Sequence, residues 1–339
     1  RLNIYNSFKG KALFAEKSGG FKDFSGIMLL LGSLLVLYLG YESMIHKDYL
    51  RFMHGFKRYP GIFFMVIFPR LLLIILFFLV PVGVSWLFLA FSHIKLAPND
   101  FVHLVIYIGI LMLMLVFFFT LGTIAGSFKS RFVGFLMLIG SWFVLVFLMP
   151  WLASGITSRR ADNMMSNYQL ELEKLKVLMD FEKRTFEEMG FTTRENIESM
   201  REEIEKYMEN EFKKIQALEK KLQGEMEKHI SHFQTLSSFF PSTFYLSAGD
   251  EIGSKGYENF IEFFSYILEL KEKFIRFYIN KRYYSMYSKV ESFIKGNENL
   301  FLAQSRIPDG FYRGLLVNLF YVIVLMTISY LRFKKSLRL

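Results

Sequence analysis

The sequence has no cysteine, which removes disulfides and all cysteine-based metal or redox chemistry. It also has no G-x-x-x-x-G-K-[ST] loop to cradle nucleotide phosphates, no H-E-x-x-H zinc helix and no G-x-S-x-G nucleophile turn. Charge is missing over long tracts. The overall 21% of charged residues looks near the usual quarter only because residues 158–235 are crowded with Glu, Lys and Arg. The net charge of +10 would suit a nucleic-acid binder, but 53% of the residues are hydrophobic and 40 are Phe. That composition favours a membrane protein whose basic residues sit in cytoplasmic loops.

A membrane-spanning helix needs about 20 mainly apolar residues, and five segments qualify. They are Phe24–Met44, Leu71–Phe91, Phe101–Gly126, Phe132–Ile156 and Phe311–Leu331. The apolar run before the second one, Ile62–Arg70, reads as an interfacial approach broken at Pro69-Arg70. Lys and Arg in short loops set the orientation. Segment 45–70 carries Lys47, Arg51, Lys57, Arg58 and Arg70; the turn 128–131 carries Lys129 and Arg131; the tail carries Arg332, Lys334, Lys335 and Arg338. All fall on one side, the expected cytoplasm. The expected layout has 1–23 outside, 24–156 crossing four times with a cytoplasmic segment at 44–61, 157–310 outside, and 311–339 as the last crossing with a basic cytoplasmic tail. Basic residues within 1–23 conflict with an outside location, so a sixth helix upstream of Arg1 is expected.

The insert reads as helical and coiled-coil-like. A first helix shows Met165, Tyr168, Leu172, Leu175, Met179 and Phe186, and ends near Met189-Gly190, Gly being favoured just past a helix. Thr192-x-x-Glu195 has capping-box spacing, and the helix after it carries Ile197, Met200, Ile204, Tyr207, Ile215, Leu218, Leu222, Met226, Ile230 and Phe233. The 3-4 spacing suits a narrow seam. Pro241, Gly249, Gly253 and Gly256 break helix, and an aromatic-rich amphipathic helix runs from Tyr257 to Ile294. A hairpin packed on itself with solvated charges accounts for this pattern, and so does a surface that docks an extracytoplasmic partner. His229-x-x-His232 offers two imidazoles without an obvious third ligand, so no metal site is assigned.

Glu42, in Gly40-Tyr41-Glu42-Ser43, is the lone acid near the end of the first span. Ionisable groups there face water or protein. The stretch Met44–Tyr59 that follows is short, basic and amphipathic. It suits a membrane-surface anchor or a handle for another subunit.

These elements resemble an ABC-2 type transporter permease of the six-helix export class. The resemblance rests on a span ending Gly-Tyr-Glu-Ser, a basic cytoplasmic stretch, Arg58-Tyr59-Pro60-Gly61, and a large insertion before the last span. Phe240-Pro241-Ser242, Gly256-Tyr257-x-Asn259-Phe260, Glu298-Asn299-Leu300-Phe301 and Pro308 resemble a subgroup whose insertion is a domain of unknown function. The Gly-Thr pair usual after the acid is replaced by residues 47–50. The resemblance implies a non-enzymatic transport subunit in the bacterial inner membrane, with ATP bound on a separate ATPase subunit and no cofactor on this chain. A second permease copy or paralogue completes the complex. Glu42, Lys47, Tyr49, Leu50, Arg51, Phe52, Lys57 and Arg58 would form the ATPase-coupling segment. Spans without buried charge hint at a lipid, peptide or other amphiphile as cargo. A non-transporting membrane tether or sensor is the alternative, and an intramembrane enzyme is weaker because no span holds paired acids, His clusters or Ser/Lys dyads.

Overall fold

The computed structural model describes residues 24–45, 61–91, 98–161, 167–189, 201–283, 296, 307–308 and 310–338. Among the described residues every regular element is helical. The helices are α1 (Phe24–Ile45), α2 (Gly61–Phe91), α3 (Pro98–Gly126), α4 (Arg131–Phe143, continuing through Val144–Leu148 to Met149–Ala161), α5 (Asn167–Met189), α6 (Arg201–Phe239), α7 (Pro241–Ile252), α8 (Tyr257–Tyr283) and α9 (Phe311–Arg338). Five of them (α1, α2, α3, α4 and α9) are long and apolar enough to cross a membrane.

The chain divides into two compact units. One holds 17–155, 233–256 and 305–339; the other holds 156–232 and 257–304 together with residues near the start. The expected insert 157–310 is therefore split, and the boundary falls inside α6, after His232.

In the first unit the core is Leu29, Val36, Leu37, Phe118 and Phe119, all fully buried between α1 and α3. The two backbones come close because both carry glycine at the crossing. A Cβ on Gly122 would collide with the Leu37 carbonyl oxygen, and one on Gly126 with that of Tyr41. Gly122-x-x-x-Gly126 is the small-residue spacing that lets membrane helices touch without side chains between them. At one end of this unit the Tyr41 hydroxyl donates to the Arg131 carbonyl at 2.8 Å, and Phe63 packs edge-on to Tyr330. Residues 24–25, 107 and 245–249 gather at the other end.

Helix α2 is continuous from Gly61 through Pro69 and Arg70 to Phe91, and its stretch Phe63–Val80 is long and apolar enough to cross a membrane. Pro69 costs α2 one backbone N–H without ending the helix. Arg70 lies inside that stretch, and its Nη1 is buried with no hydrogen-bond partner among the described residues.

In the second unit, α5, α6 and α8 share a polar core. The Glu219 carboxylate bridges Lys174 of α5, at 2.7 Å, and Lys271 of α8. Gln216 donates to Glu272 at 2.5 Å and Gln223 to Ser265 at 2.9 Å. Ile215, Leu222 and Ile230 of the expected α6 seam are buried. The seam of α5 is reversed. Tyr168, Leu172, Leu175 and Met179 are exposed, whereas Leu170 and Lys174 face inward. A buried ammonium is tolerated because two carboxylates meet it. Burial disfavours the charge, and Glu219 and then Glu171 outweigh it, so Lys174 titrates above its ordinary value.

Candidate functional site: a hairpin seated in the helix bundle

Residues 233–252 form a helical hairpin within the first unit. Its corner is built around a proline. Phe240 adopts an extended conformation as N-cap and Pro241 opens α7, a position that suits its fixed φ and missing N–H. That missing N–H takes from Ser237 the donor a continuing helix would supply. The Thr243 hydroxyl donates to the Ser237 carbonyl at 3.2 Å and to the Phe240 carbonyl at 3.0 Å. Asn318 of α9 sends Nδ2 to the Ser238 carbonyl at 3.4 Å and to the Gly314 carbonyl at 2.7 Å. Phe244 stacks on Phe311.

The third support comes from α4. Its π-helical turn Val144–Leu148 makes the Met149 N–H bond the Val144 carbonyl. The next donor along would come from residue 150, which is proline. Leu145 thus has a carbonyl that its own helix cannot satisfy, near the middle of the span Arg131–Thr157. Ser242 donates its hydroxyl to that carbonyl at 2.5 Å. An unmet carbonyl in a dry bundle is costly, so the hairpin tip and the irregularity in α4 complement each other. A second π turn, Met28–Gly32, precedes Ser33 in α1, and the Trp142 indole donates to the Ser33 hydroxyl at 3.0 Å. Such turns often mark functional sites.

Along α7 a chain of hydroxyls runs toward the bundle end. Tyr245 meets Tyr107 of α3 at 2.9 Å, and Tyr107 meets Ser25 of α1 at 2.9 Å. Gly249 lets α7 lie against them, since a Cβ there would sit 3.0 Å from Ser25 Oγ. The expectation that Gly249 breaks helix fails for that reason: its role is close packing inside α7. The helix stops at Ser254, which takes a left-handed φ of 59° while the Lys255 N–H returns to the Asp250 carbonyl at 2.8 Å. That is the six-to-one bond of a glycine-type C-cap made with serine.

A cleft of about 450 Å³ opens where this cap meets α1 and α3. Phe24, Leu104 and Ile252 give it an apolar wall, and Ser25, His103, Tyr107, Asp250 and Lys255 give it a polar one. The His103 Nδ1 atom is buried without a hydrogen-bond partner among the described residues. The cleft is an open one, in which apolar and polar side chains stand beside each other.

The chain matches no family model, no curated protein and no solved structure. Its site must be read from its own residues.

Of the site residues expected from sequence, Glu42 is half-buried near the end of α1. Beside it the Ser43 hydroxyl donates to the Gly40 carbonyl at 2.6 Å. Lys47, Tyr49, Leu50, Arg51, Phe52, Lys57 and Arg58 lie outside the described residues, as does the capping box at 192–195. Among the described residues no group of three or more His, Asp or Glu side chains is arranged to hold a metal. The cleft and the hairpin seat escaped the sequence reading. Pro150 beside a run of uncharged residues and Pro241 followed by Ser242 and Thr243 were the signals available.

Proposed function

We propose that this chain is the membrane subunit of an ATP-driven exporter of an amphiphile, with ATP hydrolysed on a separate subunit. The observation that carries the proposal is the two-faced cleft at the end of a bundle of membrane-type helices. Its apolar wall suits an acyl chain or apolar side chain, and its imidazole, ammonium, hydroxyl and carboxylate suit a polar head. The hairpin that forms part of the cleft is joined to α3, α4 and α9 by separate hydrogen bonds. Movement of those helices would therefore reshape the cleft, which is what coupling to a distant ATPase requires. In this reading the cytoplasmic side carries the segment 44–61 and the basic tail, α5 and α8 are extracytoplasmic, and the membrane is the bacterial inner membrane.

The test is purification in lipid nanodiscs followed by mass spectrometry and an ATPase assay. A stoichiometric ATPase whose hydrolysis is stimulated by an amphiphile in the wild type, and released by Leu50→Asp with Phe52→Asp, is expected. Isolation without any nucleotide hydrolase would overturn the transport role and leave a membrane tether. The sidedness has its own check. A cysteine at Ser199 of this cysteine-free chain should react with an impermeant maleimide in intact cells; reaction only after lysis would reverse the orientation.

A further inference from the structure

The reversed face of α5 has a use. Tyr168, Leu172, Leu175 and Met179 are 73%, 40%, 54% and 59% exposed. They recur at intervals of four, three and four, the spacing of the core positions of a coiled coil. At 100° per residue the four fall within a stripe about 60° wide. The inward-facing Leu170 and Lys174 lie on the opposite side of the helix. The stripe is therefore an apolar seam that α6 and α8 leave uncovered.

We propose that this seam pairs with the same seam of a second copy of this chain, as a parallel, in-register coiled coil about a two-fold axis. Charge complementarity selects that occupant. With Leu172 and Leu175 as successive core residues, Glu171 takes the flanking position before one core residue and Lys176 the flanking position after the next. In a parallel pair the first of these faces the second of the partner, five residues on. Glu171 and Lys176 stand five apart and carry opposite charges, so two symmetric ion pairs form across the two-fold axis. Both are accessible, with side chains 55% and 66% exposed, and among the described residues each pairs with a neighbour on its own helix, Lys174 and Glu173 respectively. Glu182 occupies the next core position and ends the apolar run, so the seam is short. A free peptide of this length would not pair stably, and the whole membrane-embedded chain is the species that dimerises. The pairing does not depend on the transport reading, because a tether would dimerise on the same seam.

The test uses the absence of native cysteine. Single cysteines at Tyr168, Leu175 or Glu173 are oxidised in native membranes, and disulfide-linked dimer is measured. Tyr168→Cys and Leu175→Cys should cross-link, since facing core positions bring Cα atoms within disulfide reach. Glu173→Cys, off the stripe, should not. In the Leu175→Cys background, Glu171→Lys should lower the cross-linking rate about two- to fivefold, the scale of losing exposed ion pairs. Adding Lys176→Glu should restore it. Equal cross-linking at all three positions, no cross-linking at the two seam positions, cross-linking to a different protein, or no rescue by the charge swap would each overturn the proposal. Elution of each variant at the wild-type volume in detergent guards against misfolding as the cause.

Discussion

At the scale of single residues, buried charge is the informative feature. Glu219 holds two lysines from two different helices, so the consequences of removing each partner differ. Lys174→Met leaves Glu219 with Lys271 and should cost about 1–3 kcal/mol. Glu219→Ala removes the carboxylate between the two ammoniums, leaving Lys174 with Glu171 alone, and should cost about 3–5 kcal/mol. Thermal unfolding followed by circular dichroism ranks the two. The folded state raises the Lys174 pKa above its ordinary value of 10.5. Its contribution to stability is therefore complete below about pH 10.5 and fades as pH climbs through the raised value. Stability measured from neutral to strongly alkaline pH should show this loss in the wild type and a shallower one in Lys174→Met. Arg70 is the opposite case, since its Nη1 is buried with no partner among the described residues. Arg70→Leu should stabilise the purified protein by about 1–3 kcal/mol. A parallel loss of amphiphile-stimulated ATP hydrolysis would mark Arg70 as retained for function rather than folding.

At the scale of elements, the hairpin and α4 make one unit of explanation. Ser242→Ala leaves the Leu145 carbonyl without a donor and should cost about 1–3 kcal/mol. Pro150→Ala returns an N–H to α4, so the double variant should lose less than Ser242→Ala alone. Thermal unfolding of the wild type, both single variants and the double measures that non-additivity; strict additivity would remove the link between the proline and the serine. The same elements show what a sequence can and cannot convey. The five apolar helices were legible because about 20 uncharged residues are sufficient to span a bilayer. Gly122 and Gly126 were legible in principle as a close-packing pair, but nothing in their spacing names α1 as the partner. The heptad of α5 was legible as an apolar face, though not which way it turned. Periodicity cannot anticipate that Lys174, drawn to Glu219, would take the interior. The cleft was not legible at all, since its walls come from three separate stretches of sequence, 24–25, 103–107 and 249–255.

At the scale of the whole molecule, the two units rest on different physics. One is held by apolar packing and backbone contact at glycine, the other by ion pairs and hydrogen bonds between charged helices. Hydrogen exchange in detergent with increasing urea should therefore show amides of 209–232 and 257–275 exchanging before those of 110–126 and 244–248. Simultaneous exchange would mean that the units unfold as one. The bond between Ser242 and the Leu145 carbonyl joins residues 97 positions apart, which has a consequence in time. A ribosome adding about 5–20 residues per second needs roughly 5–20 s to travel from one to the other. Throughout that interval α4 exists with its mid-span carbonyl open, and Asn318, which meets the hairpin from α9, has yet to be made. The hairpin is a late arrival that completes a bundle begun without it, and the order of synthesis gives water, lipid or a chaperone the first claim on Leu145.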